Sequence, residues 1–188
     1  LYEEAAFTPP QAKAPSRTDQ INSSLCYGFV AEIAVVRIDA DTRELTLERV
    51  VSVHDAGTIL NQTLLEGQVH GALAHAIGGA MYEEMRYTDA GQPTATFMDY
   101  LCPTTAETTY ELSIDHIETP SPLTKLGAKG CGEGSAMSLP VAIANAVADA
   151  LSPEGIDITS LPLHGNVLHE LLGDTAGTAT ERTHRPWH

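Results

Sequence analysis

Cations are scarce in this sequence: 10 Lys and Arg stand against 25 Asp and Glu, a formal net charge of −15. Nucleic acids and anionic bilayers are bound through basic clusters that neutralise phosphates, and no Lys/Arg run occurs here, so neither is expected as a partner. The acidity is spread along the chain and reads as a solvated surface. Cysteine is scarce too. Cys26, Cys102 and Cys131 are odd in number and widely spaced, which leaves neither a CxxC zinc motif nor a full disulfide framework and fits a reducing compartment. No basic, apolar, small-residue segment opens the chain, and the most apolar stretch, Val69 to Met81, is short and interrupted by His70 and His75. A cytoplasmic protein without a membrane span is expected, the periplasm being the alternative if a leader precedes Leu1.

What is present suffices for a core: 188 residues, 43% of them hydrophobic, fit one domain or two small lobes. The chain opens on Leu1 rather than methionine. Its first residues are Pro-, Ala- and polar-rich without a period, as in a polypeptide cut within a loop. Residues 1–26 are read as an extended linker, 27–173 as the domain and 174–188 as a disordered tail.

The run YGFVAEIAVVRI, Tyr27 to Ile38, is β-branched and apolar on both faces, which predicts a central strand covered on both sides. Asp39 to Thr42 is turn chemistry. The next run, Glu44 to Val53, places Leu45, Leu47, Val51 and Val53 on one face and Thr46, Glu48 and Ser52 on the other, so the pair reads as a hairpin. Beyond Asn61, a candidate cap, the stripe Leu65, Val69, Leu73, Ile77 and Met81 predicts a helix of roughly 20 residues. Gly67, Gly71, Gly78 and Gly79 interrupt it, each at up to about 1 kcal/mol relative to Ala, which suggests close packing against its backbone. Thr94 to Leu101 and Tyr110 to Ile117 are strand candidates. Pro140 suits a first helical turn, ahead of Val141, Ala144, Val147, Ala148 and Leu151 at helical spacing until Ser152-Pro153, and a short helix is expected over Asn166 to Leu172. The fold class is α+β, a mixed sheet with a β-hairpin packed against two long helices.

The most informative segment is Gly127-Ala128-Lys129-Gly130-Cys131-Gly132-Glu133-Gly134. Glycines admit positive φ and bring backbone N–H groups close to a ligand, so the loop can form an anion-binding nest at the mouth of the following helix, with Glu133 in or beside it. The bland alternative is a solvated loop glutamate. The loop lacks the Gly-Lys-Ser/Thr ending of a P-loop, which argues against nucleotide hydrolysis. A second cluster runs from His54 to Gly71, where a strand gives way to a helix. Asn61 sits there as cap or ligand, and Gln68, about two turns in, both donates and accepts hydrogen bonds, as a planar, amide-rich heterocycle requires. His54, His70 and His75 lack the carboxylate or cysteine spacing of a zinc site, and Cys131 has no visible activating partner.

From Gly127 to Leu151 the sequence GAKGCGEGSAMSLPVAIANAVADAL resembles the C-terminal signature of the molybdenum hydroxylase large subunit, the family of xanthine dehydrogenase, aldehyde oxidoreductase and aerobic carbon monoxide dehydrogenase. HDAGTILNQTLLEGQVHGALAHAIGGAMYEE, His54 to Glu84, and FMDYLCPT, Phe97 to Thr104, resemble its preceding segments in the same order, and the resemblance extends over nearly all of Tyr27 to Leu172. It implies that Glu133 is the catalytic base and that Gln68 hydrogen-bonds the pterin. By the same resemblance Asp55 and Asn61 lie near the pyrophosphate or nucleotide end of the cofactor, with Lys129 and Gly130 in the loop that carries the base. It further implies hydroxylation of an aldehyde or N-heterocycle with water-derived oxygen at molybdopterin, in the plain form or the cytosine dinucleotide form common in bacteria. FAD and [2Fe–2S] would sit on partner domains or subunits, in a higher oligomer. An upstream part of the same subunit would supply most of the substrate pocket and dock on an exposed apolar patch of this chain. A noncatalytic cofactor-binding or assembly module of the same fold is the other expectation. Three departures from the family pattern are Gln62, His75 and Arg43, the last in place of a hairpin glycine. A left-handed backbone at Arg43 would cost about 1–2 kcal/mol.

Overall fold

The computed structural model describes residues 2–6, 26–93 and 96–173. Most of the expected linker and the whole expected tail lie outside the described residues. The order of elements is β1 (Phe29–Ile38), β2 (Leu45–Asp55), α1 (Gln62–Ile77) continued by a π-helical turn (Gly78–Tyr82), β3 (Glu111–His116), α2 (Gly134–Leu151) continued by a 3-10 turn (Ser152–Glu154), and α3 (Gly165–Leu172). The strands form one sheet in the order β1-β2-β3, antiparallel between β1 and β2 and parallel between β2 and β3. A parallel neighbour needs a crossover, and α1 lies within it. The α+β class and its hairpin are as expected.

The hairpin is closed by Asp39, whose carboxylate accepts from the amides of Asp41 and Thr42 at 2.9 and 2.8 Å. Arg43 follows in the left-handed region, φ 62°. Within the ladder Val35 faces Arg49 but Val36 faces Leu47, so Glu48 is an extra residue on β2. A bulge of one residue reverses the alternation beyond it. Leu45 and Leu47 point into the core on one side of Glu48, and Val50, Ser52 and His54 do so on the other. The expectation that Val51 and Val53 share a face with Leu45 and Leu47 is corrected accordingly, and Ser52 belongs to the inner face.

β1 is also not the central strand. It forms an edge, and only its even-numbered residues turn toward the core, leaving Phe29 69% and Ile33 63% exposed. Its apolar outer face invites the two-sided assignment, but α1 and α2 cover one side of the sheet only.

Asn61 caps α1 as expected, its side-chain oxygen accepting from the Leu64 amide at 3.0 Å. Val69, Leu73, Ile77 and Met81 reach the core. Close packing at the α1 glycines holds only for Gly78, where an added Cβ would lie 2.3 Å from Glu83 Oε1; at Gly67, Gly71 and Gly79 it would meet nothing within 4 Å. Of the expected strand Thr94 to Leu101, residues 94 and 95 lie outside the described residues. Residues 96–100 form a turn instead, the Thr96 carbonyl accepting from the amides of Asp99 and Tyr100.

α2 begins six residues before Pro140, which lies inside the helix. Ser135 and Ser138 anchor that extra turn to the sheet, so the helix starts at the Gly-rich loop itself. Among the described residues, Gly134–Glu154 rather than Val69 to Met81 is the segment long and apolar enough to cross a membrane. In this fold Leu139, Ile143, Val147 and Leu151, at helical spacing, pack with Val50, Leu73, Leu163 and Leu168. α3 matches the helix expected over Asn166 to Leu172.

Candidate functional site

β2 and β3 end side by side, and the segments leaving them meet the Gly-rich loop. Gly57 bridges to Ala128, the amides of Thr58 and Ser121 both donate to the Gly127 carbonyl at 3.0 and 2.9 Å, and the Lys129 amide donates to Ala56 at 2.8 Å. The approach leaves no room for side chains. A Cβ at Gly57, φ +65°, would lie 2.2 Å from the Gly127 oxygen, and one at Gly28 would lie 2.7 Å from the Gly130 oxygen.

Beneath this junction Asp55 and Lys129 form a buried ion pair, Oδ2 to Nζ 2.8 Å. The Lys129 ammonium also donates to Thr119 Oγ1 at 2.6 Å, and that hydroxyl donates to Asp55 Oδ2. The amides of Gly57 and Thr119 complete the set on Asp55 Oδ1 at 3.0 and 3.2 Å. Burial alone would raise the Asp55 carboxyl; Lys129, Thr119 and the two amides outweigh it and hold the group well below the usual carboxylate range. Lys129 also lies over the Phe29 ring, 5.8 Å from its centroid. Asp55 is thus brought together with Lys129, 74 residues on from it, and the adjacent Gly130, and Asp55 and Lys129 are committed to each other.

Asn61 opens α1 a few residues from the junction with its side chain engaged as cap. Gln68 lies further along, on the exposed side of α1 that also carries Leu64, Gly67 and Gly71. Glu133 is exposed at the N-cap position of α2. Among the described residues, neither the Gln68 nor the Glu133 side chain makes a hydrogen bond, and none joins the two. Among the same residues, the amides of Gly130, Cys131, Gly132 and Glu133 donate to no protein acceptor. An added Cβ at Gly130 or Gly132 would meet nothing within 4 Å. The loop therefore offers a carboxylate and a row of donors to whatever lies outside it.

Sequence reasoning missed Thr119, which completes the Asp55 pair, and the inward placement of His54, which heads the second cluster and lies buried behind the loop. The signal for that placement is its two-residue spacing from Ser52, which becomes meaningful once the bulge at Glu48 is known.

Among the described residues, the open face of α1 and the Gly-rich loop present an amide side chain, a carboxylate and backbone donors without protein partners, the kind of groups that a cofactor-binding domain offers. The family model of the molybdopterin cofactor-binding domain matches residues 1–109, and the chain belongs to that family. It is 43% identical over 129 residues to the nicotine 6-hydroxylase large subunit of Paenarthrobacter nicotinovorans, covering 68% of this chain and 16% of that protein. It is 39% identical over 151 residues to the carbon monoxide dehydrogenase large chain of Afipia carboxidovorans, covering 78% and 18%. The crystal structure of quinoline 2-oxidoreductase from Pseudomonas putida 86 superposes with a TM-score of 0.71 at 40% identity, over 74% of this chain and 18% of that one. The chain thus spans less than a fifth of the length of these relatives.

Proposed function

We propose that this chain is the cofactor-facing part of a molybdenum hydroxylase large subunit, which hydroxylates an aldehyde or N-heterocycle with water-derived oxygen, and that Glu133 is its general base. One observation carries this reading: the Glu133 carboxylate is exposed at the mouth of α2, among glycines and amides that, like it, have no hydrogen-bond partner among the described residues. A carboxylate held there has no packing task, and a positioned base contributes about two to four orders of magnitude in rate. Glu133 accepts the proton of the water whose oxygen is transferred. The amides of residues 130–133 are donors for negative charge facing the loop.

The residues present fit a pterin. Gln68 supplies both a donor and an acceptor to a planar heterocycle, and Gly67 and Gly71 keep the same face of α1 clear of side chains. When bound, the molybdenum cofactor supplies Lewis acidity and redox capacity. Asp55 and Lys129 serve it indirectly, by fixing the backbone of Gly130 and its neighbours, and Asn61 does so by fixing the start of the helix that carries Gln68. The cytosine dinucleotide form of the cofactor, FAD and [2Fe–2S] partner domains or subunits, a higher oligomer and a cytoplasmic location complete the proposal. Its docking face for the upstream part of the subunit is the bare outer side of β1.

The test is Glu133→Gln in the assembled enzyme. Turnover is expected to fall by about two to four orders of magnitude, with molybdenum and pterin content unchanged. Unaltered turnover would reject Glu133 as base and favour the noncatalytic module.

A further inference from the structure

Behind Glu133 lies a polar chain that an apolar core would have avoided. His54 is 1% exposed, and Ser52 and Ser135 are fully buried. His54 Nε2 lies 2.9 Å from Ser52 Oγ and 3.2 Å from Ser135 Oγ, while Nδ1 faces Cys131 Sγ at 3.7 Å. Ser52 Oγ donates to Glu32 Oε1 at 2.8 Å, and Glu32 Oε2 accepts from Ser138 Oγ at 2.5 Å. Burying such groups is unfavourable unless each finds a partner, and here they partner one another across β1, β2, the loop and α2.

The hydrogens follow from the acceptor-only character of the carboxylate. Ser52 gives its proton to Glu32, so it can only accept from His54, and His54 carries its proton on Nε2. Nδ1 is then a lone pair turned toward the Cys131 thiol. The ring thus touches Cys131, two residues before Glu133, and Ser135, two residues after it. Gly134 rests against the ring as well, since a Cβ there would lie 3.5 Å from His54 Cε1 and 2.6 Å from Val30 Cγ2. One imidazole brackets the bend that points Glu133 outward.

We infer that His54 is the positioning residue for Glu133, and that Glu32, acting through Ser52, fixes the tautomer in which it does so. The neutral ring is consistent with its surroundings. Burial lowers the His54 pKa, Glu32 on β1 opposes this, and His116 on β3, its ring centroid 6.5 Å away, adds to the lowering, with Cys131 the remaining titratable neighbour. The effect on catalysis rests on Glu133 being the base; the bracing of residues 131–135 does not.

The experiment uses the assembled enzyme. Hydrogen exchange is followed at the amides of Gly134 and Ala136, which donate to the carbonyls of Cys131 and Glu133, alongside kcat, KM and molybdenum content. His54→Phe keeps the ring volume without its hydrogen bonds, and is expected to speed exchange about tenfold. It should lower kcat about a hundredfold, the effect of a misplaced catalytic group, with KM and molybdenum content unchanged. His54→Gln, which restores a donor near the Nε2 position, should recover most of both. Ser52→Ala, which deletes one hydroxyl and spares the ring, should speed exchange in the same direction and keeps the test open if His54→Phe does not fold. Exchange unchanged in Ser52→Ala, and in His54→Phe where that variant folds, overturns the inference. If Glu133→Gln is active, the base assignment fails while the exchange results still decide the bracing.

Discussion

Lys129 and Asp55 illustrate how a candidate ligand can act as a foundation. Their charges neutralise each other beneath the loop, at 2.8 Å and nearly out of solvent, so Lys129→Met leaves a buried carboxylate whose remaining partners are neutral donors. A loss of about 3 kcal/mol at neutral pH is expected, read from urea unfolding. The sign of its pH dependence follows from linkage. The folded-state pKa of Asp55 is lowered, so the pair's contribution is complete above the unfolded value near 3.8 and is lost as pH falls below it. The deficit of Lys129→Met relative to the parent should therefore shrink between pH 7 and pH 3, and a constant deficit would mean that the pair is not what the substitution removed. Arg43 is a simpler case. Its φ of 62° is the left-handed conformation expected at that hairpin position, and Arg43→Gly should raise stability by about 1 kcal/mol, seen as a higher Tm.

At the scale of elements, periodicity made the hairpin, α1 and α3 legible, and glycine density marked the Glu133 loop. The failures share a physical origin in contacts that no local window contains. Glu48 looks like any outward residue of an alternating strand until its partner strand shows that it is inserted, and only then do Ser52 and His54 turn inward. Pro140 looks like a helix start because the preceding turn is held by Ser135 and Ser138 reaching the sheet, and the Asp55–Lys129 pair spans 74 residues. The α1 glycines were read as signs of close packing, whereas an added Cβ at Gly67 or Gly71 would meet nothing within 4 Å among the described residues. That difference is testable. Gly67→Ala meets no obstruction and should stabilise the chain by up to about 1 kcal/mol through helix propensity. In the assembled enzyme the same methyl would intrude on the face assigned to the cofactor, so molybdenum content should drop. A gain in stability with full cofactor loading would remove that face from the binding site.

At the scale of the whole molecule, among the described residues, two helices and the core cover one face of a three-stranded sheet, while Phe29, Ile33 and Val35 stand exposed along the outer face of β1. Burying a large apolar side chain contributes about 1.5–3 kcal/mol, so a row of three is a considerable driving force for association left unused in this chain. The matched stretches span 16% and 18% of the curated relatives, and the upstream part of the same subunit is the proposed occupant of this face. Ile33→Asp separates the two roles of the strand. Ile33 is 63% exposed and outside the core, so the stability of the chain itself should change by no more than about 0.5 kcal/mol, as for other surface substitutions. Docking of the upstream part would lose the apolar contact and bury a carboxylate instead, weakening association by at least about a hundredfold. Binding titration of the chain against the separately produced upstream part measures this. Equal affinity of parent and variant would assign the outer face of β1 to solvent and move the interface elsewhere, whereas a variant that unfolds would show Ile33 to belong to the core.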